Sequence, residues 1–184
     1  MRLFVALDVP ADVHTAIEAV IGELKPHDDS WKWVRAANLH VTLKFLGEVA
    51  PDKLAKIVGA LRTAPTGGAV ALKFHGLGFF PNERRPRVLW AGMDAPQSLA
   101  GLVGAVEDVL AGAGFAREER EFAPHLTLAR SKSGTTTPKL REAIAKLSTR
   151  QFGTMEASTF HLVESRIKST GPEYTTLESF PLTR

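Results

Sequence analysis

The chain has no cysteine. Disulfide bonds, a thiolate nucleophile and cysteine-ligated zinc are therefore excluded, and a reducing compartment is compatible with that composition. Long apolar runs are also missing. Nothing approaches the length of a membrane span, and Met1 to Asp8 is a strand-like segment too short for the apolar core of a signal peptide. A soluble cytoplasmic protein with no membrane partner is expected. Charge of one sign is not in excess either: Lys+Arg number 23 against 20 for Asp+Glu, a formal net charge of +3 with a pI near 9.3. That lean admits an anionic partner without the dense basic stripe of a protein that holds long nucleic acid by its backbone. No Gly-x-Ser-x-Gly elbow is present, so the signature of a Ser/His/Asp hydrolase is absent.

What is there begins with a core. At 184 residues, 44% apolar and 23% charged, the chain suits one ordinary domain or two small lobes sharing an interface. Leu3 to Leu7 reads as a buried strand. Helical spacing of Val13, Ile17, Val20, Ile21 and Leu24 follows it. Trp31 to Val34 offers a short strand, Leu39 to Leu46 a longer one, and Pro51 opens a second helix along Leu54, Ile57, Val58 and Leu61. A strand from Ala69 to Gly78 leads into a turn-rich, charged connector at Phe79 to Pro86. Arg87 to Gly92 is again a buried strand, Pro96 again opens a helix, and Gly112 to Gly114 closes it. A strand with His125, a helix opened by Thr137-Pro138 and a strand from Thr154 to Ser165 come next. A polar stretch, Arg166 to Glu173, precedes a last strand from Tyr174 to Phe180.

Laid side by side, residues 1–80 and 87–165 repeat one order of elements: strand, helix, strand, helix, strand. His40-Val41-Thr42-Leu43 maps on His125-Leu126-Thr127-Leu128 at an offset of about 85, and Phe74-His75 maps on Phe160-His161 at about 86. Tandem copies usually pack about a pseudo-twofold axis, so equivalent residues can face one another. Period-2 alternation puts His40 with Thr42, and His125 with Thr127, on one face of each strand with apolar residues behind. Two imidazoles and two hydroxyls facing one anion suit acid-base chemistry at phosphorus. One ring can be neutral while the other is charged, and Thr42 and Thr127 can donate hydrogen bonds to non-bridging oxygens.

Other candidates are weaker. Lys44 shares parity with His40 and Thr42 and is expected towards the same site, though its counterpart Ala129 carries no charge. Arg130 has the wrong parity to join His125 and Thr127 unless the strand bulges or ends before it. Tyr174 is placed to stack on a base, whereas core packing is favoured for Phe45 and Trp33. Arg84, Arg85 and Arg87 read as a solvated loop, and His75 and His161 as packing or surface residues. A metal site is not expected. No Asp, Glu or Cys accompanies either motif at ligand spacing, and threonine is a poor zinc ligand.

On these residues the chain resembles the 2H phosphoesterase superfamily, named for two His-x-Thr-x motifs. Within it, the likeness is to the bacterial and archaeal RNA 2′,3′-cyclic phosphodiesterases, also called 2′-5′ RNA ligase-like proteins. It spans Arg2 to Leu7, Leu39 to Val49, Arg87 to Gly92, Pro124 to Arg130 and Gly171 to Tyr174. The resemblance implies a single bilobal α+β domain over residues 1–184, each lobe an antiparallel sheet with outer helices and the motifs in a central cleft. It further implies opening of a terminal RNA 2′,3′-cyclic phosphate to a 2′-phosphate without metal or cofactor, with reversible 2′-5′ ligation as the same chemistry run backwards. RNA ends or small nucleotides bearing that cyclic phosphate would be the partners, and a monomer is expected. In the family scheme His40 protonates the departing 3′ oxygen and His125 activates water. Spacing alone leaves a symmetric pair. The rival reading is a non-catalytic module that captures RNA ends or nucleotides, distinguished by binding without turnover.

Overall fold

Strand β1 (Arg2–Asp8) lies inside a four-stranded sheet ordered β3-β1-β8-β9, with β3 (His40–Glu48), β8 (Thr159–Lys168) and β9 (Gly171–Pro181). A five-stranded sheet is ordered β2-β6-β5-β4-β7, from β2 (Trp31–Trp33), β4 (Val70–Phe80), β5 (Val88–Met93), β6 (His125–Ser131) and β7 (Gln151–Ala157). Every pairing is antiparallel. The structure is a computed structural model and describes residues 1–169 and 171–183. Four α-helices complete the described residues: α1 (Ala11–Leu24), α2 (Leu54–Arg62), α3 (Gln97–Gly112) and α4 (Pro138–Lys146). The α+β class, with two antiparallel sheets, is as expected.

Helix boundaries follow local chemistry. Pro10 and Pro96 occupy the N-caps of α1 and α3, where a missing N–H costs nothing, and Thr137 caps α4 by accepting from the Leu140 amide. The apolar stripes read from the sequence are the buried faces: Val13, Ile17, Val20, Ile21 and Leu24 on α1, and Leu140 with Ile144 on α4.

The two repeats exchange elements. Strands β1 and β3 belong to the first half, yet their sheet is completed by β8 and β9 from the second. The sheet around β5 and β6 takes β4 and the edge strand β2 from the first half. Helices cross over too: α1 packs on β7 and α4, whereas α3 packs on β3 and α2. One continuous core results, running from Leu3, Val5 and Leu7 through Val41 and Leu43 to Leu89, Leu126 and Leu128. The opposite face of the first sheet carries a small separate cluster of Phe4, Ala6 and Val163, with Tyr174 against it. This second face carries His40, whose ring meets those of Phe4 and Tyr174.

Two element assignments are corrected. The strand expected over Thr154 to Ser165 is two strands interrupted at Ser158, β7 pairing with β4 in one sheet and β8 with β1 in the other. The apolar positions change phase there, from Met155 and Ala157 to Phe160 and Leu162, which is the mark of the break in the sequence. The polar stretch Arg166 to Glu173 is, apart from Thr170, which lies outside the described residues, largely the end of β8 and the start of β9. Its polar residues mark a solvated hairpin rather than a loop, with Lys168 opposite Gly171. No helix of the described residues is long and apolar enough to cross a membrane.

Candidate active site

The two motifs open adjacent elements: His40 is the first residue of β3, His125 the first of β6, and these strands contact one another where the sheets meet. In both strands the apolar residues between them, Val41 and Leu43 or Leu126 and Leu128, enter the core. His40 and Thr42, like His125 and Thr127, are half-buried on the other face.

Each imidazole is oriented in the same way. Nδ1 of His40 donates to the Asn38 carbonyl at 2.8 Å, and Nδ1 of His125 donates to the Ala123 carbonyl at 2.7 Å. A carbonyl oxygen only accepts, so Nδ1 carries a proton whatever the charge of the ring. Nε2 is left as the atom that holds or lacks the exchangeable proton in both. Aromatic edges fix the rings further: Tyr174 meets His40 at 5.1 Å and 83°, and Phe80 meets His125 at 4.9 Å and 81°. Phe4 lies on the other side of His40, at 4.6 Å. Tyr174, expected to stack on a base, packs edge-on against the His40 ring.

A bulge repeated in both strands decides which further residues face the cleft. Against β1, the register of β3 slips between Thr42 and Lys44; against β5, that of β6 slips between Thr127 and Ala129. One extra residue inverts the side-chain alternation beyond it. Lys44, expected beside His40, is turned into the protein: its ammonium lies 2.7 Å from both carboxylate oxygens of Glu107 on α3 and 2.9 Å from the Ala116 carbonyl. It is a buried structural ion pair, and its assignment to the substrate is corrected. Phe45 is corrected in the opposite sense. It is 64% exposed and returns to the cleft side, 6.0 Å from Phe4, rather than packing in the core. Arg130, at the equivalent place in β6, is exposed and rejoins the face of His125 and Thr127. Its charge acts on His40, His125 and Tyr174 alike. Trp33 stays packed against the core.

The electrostatics break the symmetry of the motifs. Burial is the largest influence on both rings and pushes both below the ordinary histidine value of 6.5. The backbone carbonyls partly oppose it, and Arg130 adds to it. His40 alone of the two has a carboxylate acting to keep it protonated: Asp8, its cross-strand partner in β1. Asp8 is itself 3.3 Å from Nε2 of His161, whose Nδ1 is 2.9 Å from the Ser179 hydroxyl. The corresponding pair, His75 of β4 with Asp94 at 2.7 Å, lies just past the end of β5, and Gly92 rather than Asp94 stands opposite His125. His75 and His161 are thus members of matched His–Asp pairs, each joining one repeat to the other. Equal spacing of Asp8 and Asp94, 86 residues, was a readable signal of this.

A family model for LigT-like phosphoesterases matches the chain twice, over residues 7–90 and 93–174. The chain belongs to that family. An RNA 2′,3′-cyclic phosphodiesterase from Archaeoglobus fulgidus is 37% identical over 180 residues, 98% of this chain and 99% of that one. Its counterpart from Methanothermobacter thermautotrophicus is 34% identical over 183 residues, 99% of each. Among solved structures, TT0787 of Thermus thermophilus superposes with a TM-score of 0.78 at 33% identity, covering 99% of this chain and 98% of that. E. coli LigT complexed with 3′-AMP gives 0.79 at 28%, covering 100% and 98%. The two matched segments of this LigT-like phosphoesterase each contain one His-x-Thr motif.

Proposed function

We propose that this phosphoesterase opens terminal 2′,3′-cyclic phosphates on RNA by two-histidine acid-base catalysis, leaving a 2′-phosphate and a 3′-hydroxyl. The observation that carries the reading is the pair of His-x-Thr faces on the contacting strands β3 and β6, each imidazole committed through Nδ1 and working through Nε2. The names of the full-length relatives, RNA 2′,3′-cyclic phosphodiesterases, support the substrate.

Water attacks phosphorus opposite the 3′ oxygen and gives its proton to Nε2 of His125. The P–O3′ bond breaks as Nε2 of His40 protonates O3′. Thr42 and Thr127 hydroxyls donate to the non-bridging oxygens, and Arg130 supplies positive charge to the phosphate. Asp8 supports this division of roles: the donor must begin charged, and the carboxylate stands across from His40. Arg130 disfavours the charged form of both rings, so the carboxylate is what distinguishes them. The same geometry run backwards, with a 5′-hydroxyl in place of water, would make a 2′-5′ bond.

The test is incubation with an RNA oligonucleotide ending in a 2′,3′-cyclic phosphate, in the presence of a chelator. A 2′-phosphate product is expected. A 3′-phosphate product would reverse the leaving group, and tight binding with no turnover would leave only an RNA-end binder.

A further inference from the structure

The concave face continues past His125. On that side of the site is a cavity of about 470 Å³, bounded by His125, Phe80, Trp90 and Gly92, with His75 and Ser148 at its rim. No residue of the His40 side lines it. Glycine lets the Trp90 ring lie down. Gly78 is its cross-strand partner, and a Cβ there would stand 2.2 Å from the indole Cζ2; one on Gly92 would stand 3.2 Å from Cζ3 and 2.8 Å from the His75 carbonyl oxygen. The indole therefore rests against the sheet, with Phe80 at 5.3 Å and 37° to it. Its Nε1 is buried and has no hydrogen-bond partner among the described residues. At the rim, His75 Nε2 is 2.7 Å from Asp94.

We propose that this cavity is the acceptor subsite, holding the 5′-terminal nucleoside of a second RNA strand whose 5′-hydroxyl replaces water at His125. The inference rests on the function proposed above and adds a place for the second substrate. In-line displacement puts the attacking oxygen opposite the departing one. A group that touches His125 and not His40 is on the attacking side. The volume falls within the roughly 300–1,000 Å³ of small-molecule sites. Aromatic walls suit a base of any identity, since every base has a stacking face, and the His75–Asp94 pair offers polar atoms for ribose hydroxyls. In the step, the 5′-O–P bond forms and P–O3′ breaks. The 5′-hydroxyl proton passes to Nε2 of His125, and His40 delivers its own to O3′. One anionic diester becomes another, so no energy source is needed.

The experiment offers the whole protein an oligonucleotide with a 2′,3′-cyclic phosphate and increasing adenosine, or methanol in parallel, and separates hydrolysis from transfer products. Transfer to adenosine is expected to saturate and to exceed transfer to methanol, mole for mole, by about fivefold or more, the least that one stacked base supplies. Ser148→Trp, at an exposed rim position, is expected to bring the adenosine-to-methanol ratio down towards one. Transfer that rises linearly with no preference for adenosine overturns the proposal. So does adenosine that competes with the cyclic-phosphate RNA without being joined to it, because the cavity then belongs to the substrate's own base. If neither water nor alcohol opens the cyclic phosphate, the proposed function fails and the subsite fails with it.

Discussion

Lys44→Met separates stability from chemistry at the position where the bulge reverses the sequence expectation. The Lys44 side chain is 4% exposed and that of Glu107 14%, with the ammonium 2.7 Å from both carboxylate oxygens. Removing one partner of a buried pair leaves an uncompensated charge and costs about 3–5 kcal/mol. The two single variants should not cost the same. Glu107→Ala strands an ammonium whose remaining partner is the Ala116 carbonyl. Lys44→Met strands a carboxylate with more access to water, placing its cost near about 3 kcal/mol. For a chain of this size each kcal/mol moves Tm by roughly 2–4 °C, so Lys44→Met should melt roughly 6–12 °C lower, and Glu107→Ala lower still. Combining Lys44→Met with Glu107→Leu leaves no buried charge and should recover much of the loss. Thermal melts read the stability, and kcat/KM is measured well below either midpoint. Activity per folded molecule should stay within about twofold of wild type, since no contact with the transition state is removed. A Lys44→Met protein with unchanged Tm and turnover lowered about 100-fold would refute the reasoning and return Lys44 to the cleft.

His40→Ala and His125→Ala should each reduce kcat for cyclic-phosphate opening by about 10²–10⁴-fold with unchanged melting, and near-normal turnover in either would remove that histidine from the mechanism. The profile of kcat/KM against pH should be a bell lying on the acid side of 6.5, because burial lowers both rings. Activity falls below it as His125 gains its proton and above it as His40 loses its own. Asp8→Asn withdraws the carboxylate that favours charged His40 and should move the alkaline limb to lower pH; an unmoved limb would deny Asp8 that influence. Arg130→Ala should raise KM by roughly 10-fold or more through lost charge-assisted bonds to phosphate, while shifting the bell upwards because its charge disfavours protonation of both rings. An Arg130→Ala enzyme with wild-type KM would place that side chain off the phosphate.

The strands that carry the motifs, the apolar stripes of all four helices and the in-register recurrence of His40-Thr42 at His125-Thr127 were readable because each rests on a short local period. Parity worked up to the fourth residue of each motif and then failed for Lys44 and Phe45, because a bulge depends on the neighbouring strand. The doublet Leu128-Ala129 gave a faint sign, two apolar residues where alternation calls for one. In the first copy Lys44 hides it, since a long side chain can be buried when Glu107 meets it. That partner is 63 positions away on a helix of the other repeat.

By itself, then, the sequence determined a duplicated α+β chain with two polar faces of one kind, since hydrophobic period and repetition are properties of the chain alone. Only tertiary structure decided how the faces differ. Antiparallel pairing of β1 with β3 sets Asp8 across from His40, and the two bulges return Arg130 to the cleft while sending Lys44 into the core. The physical reason is that charge and burial act through space: two identical tetrapeptides become unlike groups once the surrounding strands give one a carboxylate that the other lacks.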